Sequence, residues 1–106
     1  MNGNSFKSVS MEQGTTMMHS QKDYIILDVR RPDEYAAGHI PGAILLTNET
    51  ISEKTAGILP DKNQLLLVYC RSGRRSKEAA AKLAAIGFTN IVEFGGIIDW
   101  KGPVEK

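Results

Sequence analysis

The chain has a single cysteine, Cys70, among its 106 residues. One thiol excludes an intrachain disulfide, a Cys-x-x-Cys redox pair and a cysteine-rich zinc site. It fits a reducing, cytoplasmic setting. Long apolar runs are missing as well. None approaches the roughly 18 residues that a bilayer span takes. The polar stretch from Met1 to Lys7 has neither the apolar segment nor the cleavage pattern of a signal peptide. Nor does charge of one sign dominate. Thirteen Lys and Arg face twelve Asp and Glu, a formal net charge of +1, so no global field selects nucleic acid or a membrane. Repeats and low-complexity linkers are absent too. A chain this short is one domain, expected over residues 6–106 behind a loose polar start at 1–5.

What is present is an alternation of apolar runs and helical patterns. Residues 6–9 alternate and predict a short strand. Ser10 followed three residues later by Gln13 has capping-box spacing and opens a helix over 11–18, although Gly14, Thr15 and Thr16 are poor helix formers. Residues 24–27, Tyr-Ile-Ile-Leu, predict a central strand. Pro32 suits the first turn of a short helix over 33–37, with Gly38 as its C-terminal cap. Ile40-Pro41-Gly42 reads as a turn. Residues 43–46 predict a buried strand, 50–56 a helix punctuated afterwards by Pro60-Asp61, and 65–69 a further buried strand. From Arg74 to Ile86 an apolar stripe of Ala79, Leu83 and Ile86, with Ala80 and Ala84 beside it, predicts an amphipathic helix. Gly87 ends it and Phe88 makes the hydrophobic contact that follows such a cap. A last strand at 91–94 is broken by Gly95-Gly96, and 97–100 forms a short helical turn. Continuous apolar strands between helices indicate the α/β class, with a mainly parallel five-stranded sheet flanked by helices on both faces. Ligands of such sheets sit beyond the carboxyl ends of the strands.

Cys70 lies at one of those ends. It opens the run Cys70-Arg71-Ser72-Gly73-Arg74-Arg75-Ser76, between the apolar strand and the alanine-rich helix. The loop's backbone N–H groups and three arginines are expected to surround the sulfur. Such a position favours the thiolate and binds anions. Gly73 permits the tight turn that aims the amides inward. A lone cysteine is more often a small buried hydrophobe; the preceding strand, Gly73 and the arginines favour the reactive reading.

Three stretches together resemble the single-domain rhodanese-like sulfurtransferases. Asp28-Val29-Arg30 with residues 34–43 is similar to the family's amino-proximal signature. Cys70 to Ser76 is similar to its active-site loop, and Phe94-Gly95-Gly96 through Trp100 to its carboxy-proximal signature. They span most of residues 24–100 in the family's order. The resemblance implies transfer of a sulfane sulfur from thiosulfate or a similar small anionic donor, through a persulfide on Cys70, to a thiol or protein acceptor. It implies no metal and no organic cofactor, and neither nucleic acid nor membrane as a partner. Cys70 is then the nucleophile. Arg71 is expected to grip the anionic donor and Ser72 to bond the sulfur. Gly73, Arg74, Arg75 and Ser76 complete the substrate loop, with one of Arg74 and Arg75 facing substrate and the other pairing with Asp28 or Glu34.

Related phosphatases use Cys-x5-Arg. Here four residues separate Cys70 from Arg75, the sixth position after the cysteine is Ser76, and Tyr69 rather than histidine precedes it. The smaller ring suits one sulfur atom better than a tetrahedral oxyanion, which places a phosphatase or arsenate-type enzyme last. A module that carries persulfide or docks a partner without turnover is the other alternative, because the fold alone does not fix the function. Asp28 and Glu34 read as ion-pair partners of Arg30 or of the loop arginines rather than an acid–base pair. His39, beside a turn, reads as a structural histidine bonded to loop backbone rather than a base. His19 carries no signal. Three arginines without interleaved aromatics make a weak nucleic-acid footprint. Trp100 reads as a core anchor, and Met11, Met17 and Met18 as packing.

Overall fold

Four apolar segments and the short polar pair Lys7–Ser8 become strands of one parallel sheet. The computed structural model describes residues 5–59 and 61–106. The expectations for residues 1–4 and for Pro60 lie outside them. In chain order the elements are β1 (Lys7–Ser8), α1 (Met11–Ser20), β2 (Tyr24–Asp28), α2 (Pro32–Ala37), β3 (Ile44–Leu45), β4 (Leu65–Cys70), α3 (Arg74–Ala85) and β5 (Ile91–Gly96). The strand order is β1-β5-β4-β2-β3, and every pairing is parallel. β4 is therefore the central strand, and Cys70 is its last residue.

Parallel sheets are covered on both faces, and two apolar clusters do this here. On one face Leu27, Leu66, Val68 and Ile91 pack with Ala79, Ala80 and Leu83 of α3. On the other, Ile26, Leu67, Val92 and Phe94 pack with Met11 of α1, and Tyr35 of α2 and Trp100 lie against them. Met17 and Met18 belong to the same layer.

Local chemistry explains the boundaries. Ser10 Oγ accepts from Gln13 N at 3.0 Å, and Gln13 Oε1 accepts from Ser10 N at 3.0 Å, so the predicted capping box forms. The helix outlasts its expected end at residue 18. The Thr15 and Thr16 hydroxyls are satisfied one turn back, on the carbonyls of Met11 and Glu12. Gly14 is there for closeness: a Cβ at this position would lie 2.4 Å from the Phe94 ring. Helix α3 ends as expected. Gly87, at φ 110°, donates to Ala84 O, and Phe88 donates to Leu83 O while its ring is fully buried.

Three expectations are corrected. The buried strand expected over 43–46 is a two-residue edge strand, Ile44–Leu45, with Ile44 exposed because among the described residues no strand or helix covers that side. Residues 50–56 do not form an α-helix; the chain makes two 3-10 turns, Asn48–Thr50 and Glu53–Gly57. Ser52 Oγ accepts from Lys54 N, and Thr55 Oγ1 accepts from Ser52 N at 3.0 Å. These side chains compete with the backbone for the longer helical bonds. Gly95-Gly96 does not break the last strand, which continues through both. Val68 pairs with Glu93 but Cys70 with Gly96, so β5 carries one extra residue there. Gly95 adopts φ 94°, the conformation that lets a strand absorb a bulge.

Candidate active site

The site is built where β4 ends and α3 begins. Gly73 caps α3 at φ 108°, a left-handed conformation that glycine adopts without a Cβ penalty. This turn points its N–H at Cys70 Sγ, 3.0 Å away. The sulfur also lies 3.6 Å from Ser76 Oγ. Among the described residues these are the polar groups that bond it, so the expected ring of amides is here one amide and one hydroxyl. Cys70 is 1% exposed and belongs to the apolar cluster that holds Val68 and Ala79. The Arg71 carbonyl turns the other way and accepts from Ile98 N at 3.3 Å. That bond ties the loop to the chain leaving β5.

The three arginines separate by partner. Arg75 on α3 forms a two-pronged pair with Glu34 on α2, Nη1 to Oε1 at 2.7 Å and Nη2 to Oε2 at 3.1 Å. Arg71 and Arg74 are exposed and, among the described residues, form no ion pair. Ser72, expected to bond the sulfur, is exposed instead, and the hydroxyl beside the sulfur is that of the buried Ser76. The choice between Arg74 and Arg75 left open by the sequence is thus resolved for the structural partner. It is Arg75, and its acid is Glu34 rather than Asp28.

Glu34 accepts from Arg75 and, through Oε1, from Arg31 N at 3.0 Å. The Arg75 hydrogen bond, aided by the Arg31 amide and against the cost of burial, holds its carboxyl down to about 2 from 4.5. Arg75 is raised in turn, chiefly by the Glu34 hydrogen bond. A depressed carboxyl stabilises the fold above its unfolded value and loses that contribution as pH falls through the folded one. Stability should therefore drop between pH 4.5 and about 2. Both side chains are 23% exposed, so solvent screening leaves about 1 kcal/mol. Urea melts across this window should show the drop in the parent chain and a flatter profile in Glu34→Gln. Equal slopes would remove the pair from the account of how α3 is anchored.

Asp28 and Arg30 act on the other side of β4. Arg30 Nη2 and Asp28 Oδ2 are 2.7 Å apart, and Arg30 Nη2 also donates to Gly38 O at 2.7 Å. The Tyr69 hydroxyl donates to Asp28 Oδ2 at 2.7 Å and accepts from Ile40 N at 3.1 Å. Burial, reinforced by Asp28, keeps the Tyr69 phenol protonated far above its usual range. Burial opposes the Arg30 charge, but the hydrogen bonds and charge of Asp28 outweigh it and raise the guanidinium. The network fixes the residue directly before Cys70. His39 stacks on Tyr35 with ring centres 3.8 Å apart, its Nδ1 2.9 Å from Tyr35 O. Its backbone pairs with Glu105. None of these His39 partners belongs to the Cys70 loop.

Sequence reasoning passed over two residues. Glu93 on β5 is fully buried and accepts from Ser76 Oγ at 2.7 Å. Lys77 on α3 places its ammonium 3.6 Å from Glu93 Oε1. The available signal was a charge inside an apolar strand of a covered sheet, a position that demands buried partners.

Residues 10–102 match the family described as Rhodanese-like domain. Thiosulfate sulfurtransferase PspE of Escherichia coli is 38% identical over 80 residues, covering 76% of this chain and 77% of that protein. Thiosulfate sulfurtransferase GlpE of Pseudoalteromonas translucida is 34% identical over 104 residues, covering 95% and 94%. A solved rhodanese with anions from E. coli superposes with a TM-score of 0.72 at 36% identity, covering 78% of this chain and 98% of that one. The parallel sheet, the strand–loop–helix around Cys70 and a match across nearly the whole length agree: the chain belongs to the rhodanese-like domain family.

Proposed function

We propose that residues 6–106 work as a single sulfurtransferase domain with Cys70 as its nucleophile. The observation that carries this is the sulfur at the carboxyl end of the central strand, held by the Gly73 amide at 3.0 Å at the start of α3. Thiosulfate sulfurtransfer is what the named relatives are described as doing. The Cys70 thiolate attacks the outer sulfur of thiosulfate. A new S–S bond forms on Cys70, the S–S bond of thiosulfate breaks, and its electron pair leaves with sulfite. One negative charge stays on the persulfide and two depart, as two arrived. A thiophilic acceptor then takes the outer sulfur and returns Cys70 as thiolate. Splitting the transfer this way gives ping-pong kinetics.

Incubation with thiosulfate should add one sulfur to the intact mass and release one sulfite per chain. Cyanide should then remove the sulfur as thiocyanate with continued turnover. Loading without turnover would indicate a sulfur carrier. Hydrolysis of a small aryl phosphate without any mass gain would overturn the proposal in favour of a phosphatase. Burial of the lone thiol without a disulfide partner supports a reducing, cytoplasmic location, and among the described residues no helix is long and apolar enough to cross a membrane.

Arg71, exposed and unpaired among the described residues, is the donor's grip, with Arg74 beside it. Charge-assisted hydrogen bonds to an anion are worth about 1.5–3 kcal/mol. Arg71→Ala should therefore lower kcat/KM for thiosulfate about ten- to hundredfold while stability changes by no more than about 0.5 kcal/mol. Matching losses of stability and activity would make Arg71 a structural residue instead.

A further inference from the structure

The sulfur chemistry makes no use of Glu93, yet donors from two strands and a helix converge on it. Ser8 on β1 donates to Oε1 at 2.5 Å. The Gly95 amide on β5 and the Ser76 hydroxyl on α3 each reach Oε2 at 2.7 Å. The Lys77 ammonium, also on α3, lies 3.6 Å from Oε1. The Gly95 amide and the Lys77 ammonium can only donate, which suits a carboxylate.

The consequence passes through Ser76. Its hydroxyl has one proton and three acceptors in reach: Glu93 Oε2 at 2.7 Å, Gly73 O at 2.9 Å and Gly95 O at 3.4 Å. The charged, closest acceptor takes the proton. A lone pair is then left toward Cys70 Sγ at 3.6 Å. That lone pair accepts from S–H and repels a thiolate. The buried carboxylate behind it also disfavours a second anion. The Gly73 N–H at 3.0 Å pulls the other way. So does Arg75, which senses Cys70 but is neutralised by Glu34 and faces Glu49 as well. Arg71 and Arg74 are exposed and act through solvent.

Building on the sulfurtransfer reading above, we propose that Glu93, acting through Ser76, is a positioning residue that holds the Ser76 proton away from the unloaded Cys70 sulfur and so opposes its ionisation. In the persulfide, Sγ carries neither a proton nor the full charge. The charge then sits on the outer sulfur, one bond beyond Sγ. Glu93 thus penalises the empty thiolate more than the loaded state. It also makes the attacking thiolate more basic, and more basic thiolates attack faster. The proton released on loading goes to water or to the departing sulfite.

Glu93→Gln keeps the shape and one acceptor for Ser76 and Gly95. Thiolate absorbance of the unloaded protein, titrated against pH with Cys70→Ser as the blank, should show about tenfold more thiolate at a given acid pH. The acid limb of kcat/KM for thiosulfate should move down by about one pH unit. Its plateau should fall about threefold, because the attacking thiolate is less basic. A loss of rate at every pH with an unmoved limb and an unmoved titration overturns the proposal. Where Glu93→Gln does not fold, Ser76→Ala decides. Thiolate appearing at lower pH supports the proposal, and an unchanged or higher titration overturns it. The absorbance titration needs no sulfur donor. A chain that takes no sulfur but shows the shift loses the transferase reading and keeps the coupling. A chain that takes sulfur with an unmoved titration loses the coupling alone.

Discussion

Cys70→Ser is expected to fold like the parent chain and to take up no sulfur from thiosulfate. The replaced atom is nearly closed to solvent, so a hydroxyl there must find partners or cost about 1–3 kcal/mol. It finds them: the Gly73 N–H and the Ser76 hydroxyl already flank the position. Melting should therefore stay close to the parent value. Chemistry is a different matter. An unactivated serine is a weak nucleophile near neutral pH, and nothing in the loop offers a base to activate it. Among the described side chains bonded near Cys70, Ser76 is committed to Glu93 and Arg75 to Glu34. Intact mass after thiosulfate treatment should be unchanged, and thiocyanate formation should fall to background. A mass gain in this variant would move the sulfur to another residue and sink the assignment of Cys70.

Among the described glycines, Gly96→Ala is expected to be the most damaging. A Cβ at Gly96 would stand 2.0 Å from Arg71 O, 2.4 Å from Arg71 C and 2.5 Å from Ser72 Cα. All three are backbone atoms, so no side chain can swing aside. Either β5 withdraws from β4 or the Cys70 loop shifts. Overpacking of this kind costs about 3 kcal/mol or more, which in a domain of this size lowers Tm by roughly 10–20 °C. Activity should fall further than stability, because the displaced atoms adjoin the nucleophile. Gly95→Ala is the control. Nothing lies within 4 Å of its added Cβ, but φ is 94°, so backbone strain alone should cost about 1 kcal/mol. Equal melting temperatures for the two variants would falsify the steric account.

The inner strands were legible because each is a short apolar run in a helix-separated series, the first strand because residues 6–9 alternate, and Ser10 with Gln13, or Gly87 with Phe88, marks helix ends by local chemistry. Cys70 was legible because its loop joins a strand to a helix in sequence. The 3-10 turns around Ser52 and Thr55 were not, since a composition that allows a helix does not show which side chains will capture the backbone. Gly95-Gly96 read as a break because glycine pairs end strands when nothing else is known. The reason they continue one here is the Cys70 loop, packed against Gly96 from elsewhere in the chain. Glu93 escaped notice for a related reason. Its partners come from Ser8, Ser76, Lys77 and Gly95, and of these only Gly95 is a near neighbour in sequence. The pairing of Arg75 with Glu34, 41 positions apart, likewise needed the fold to choose it over Arg74.

The solitary sulfur has a kinetic consequence. Within this chain no second thiol can attack the inner atom of the loaded cysteine, close a disulfide and expel hydrosulfide. Each molecule therefore holds its cargo until something diffuses to it, and the discharge rate should scale with the concentration of the recipient. Hydrosulfide should not leak spontaneously from purified, loaded protein, however long it stands without a reductant.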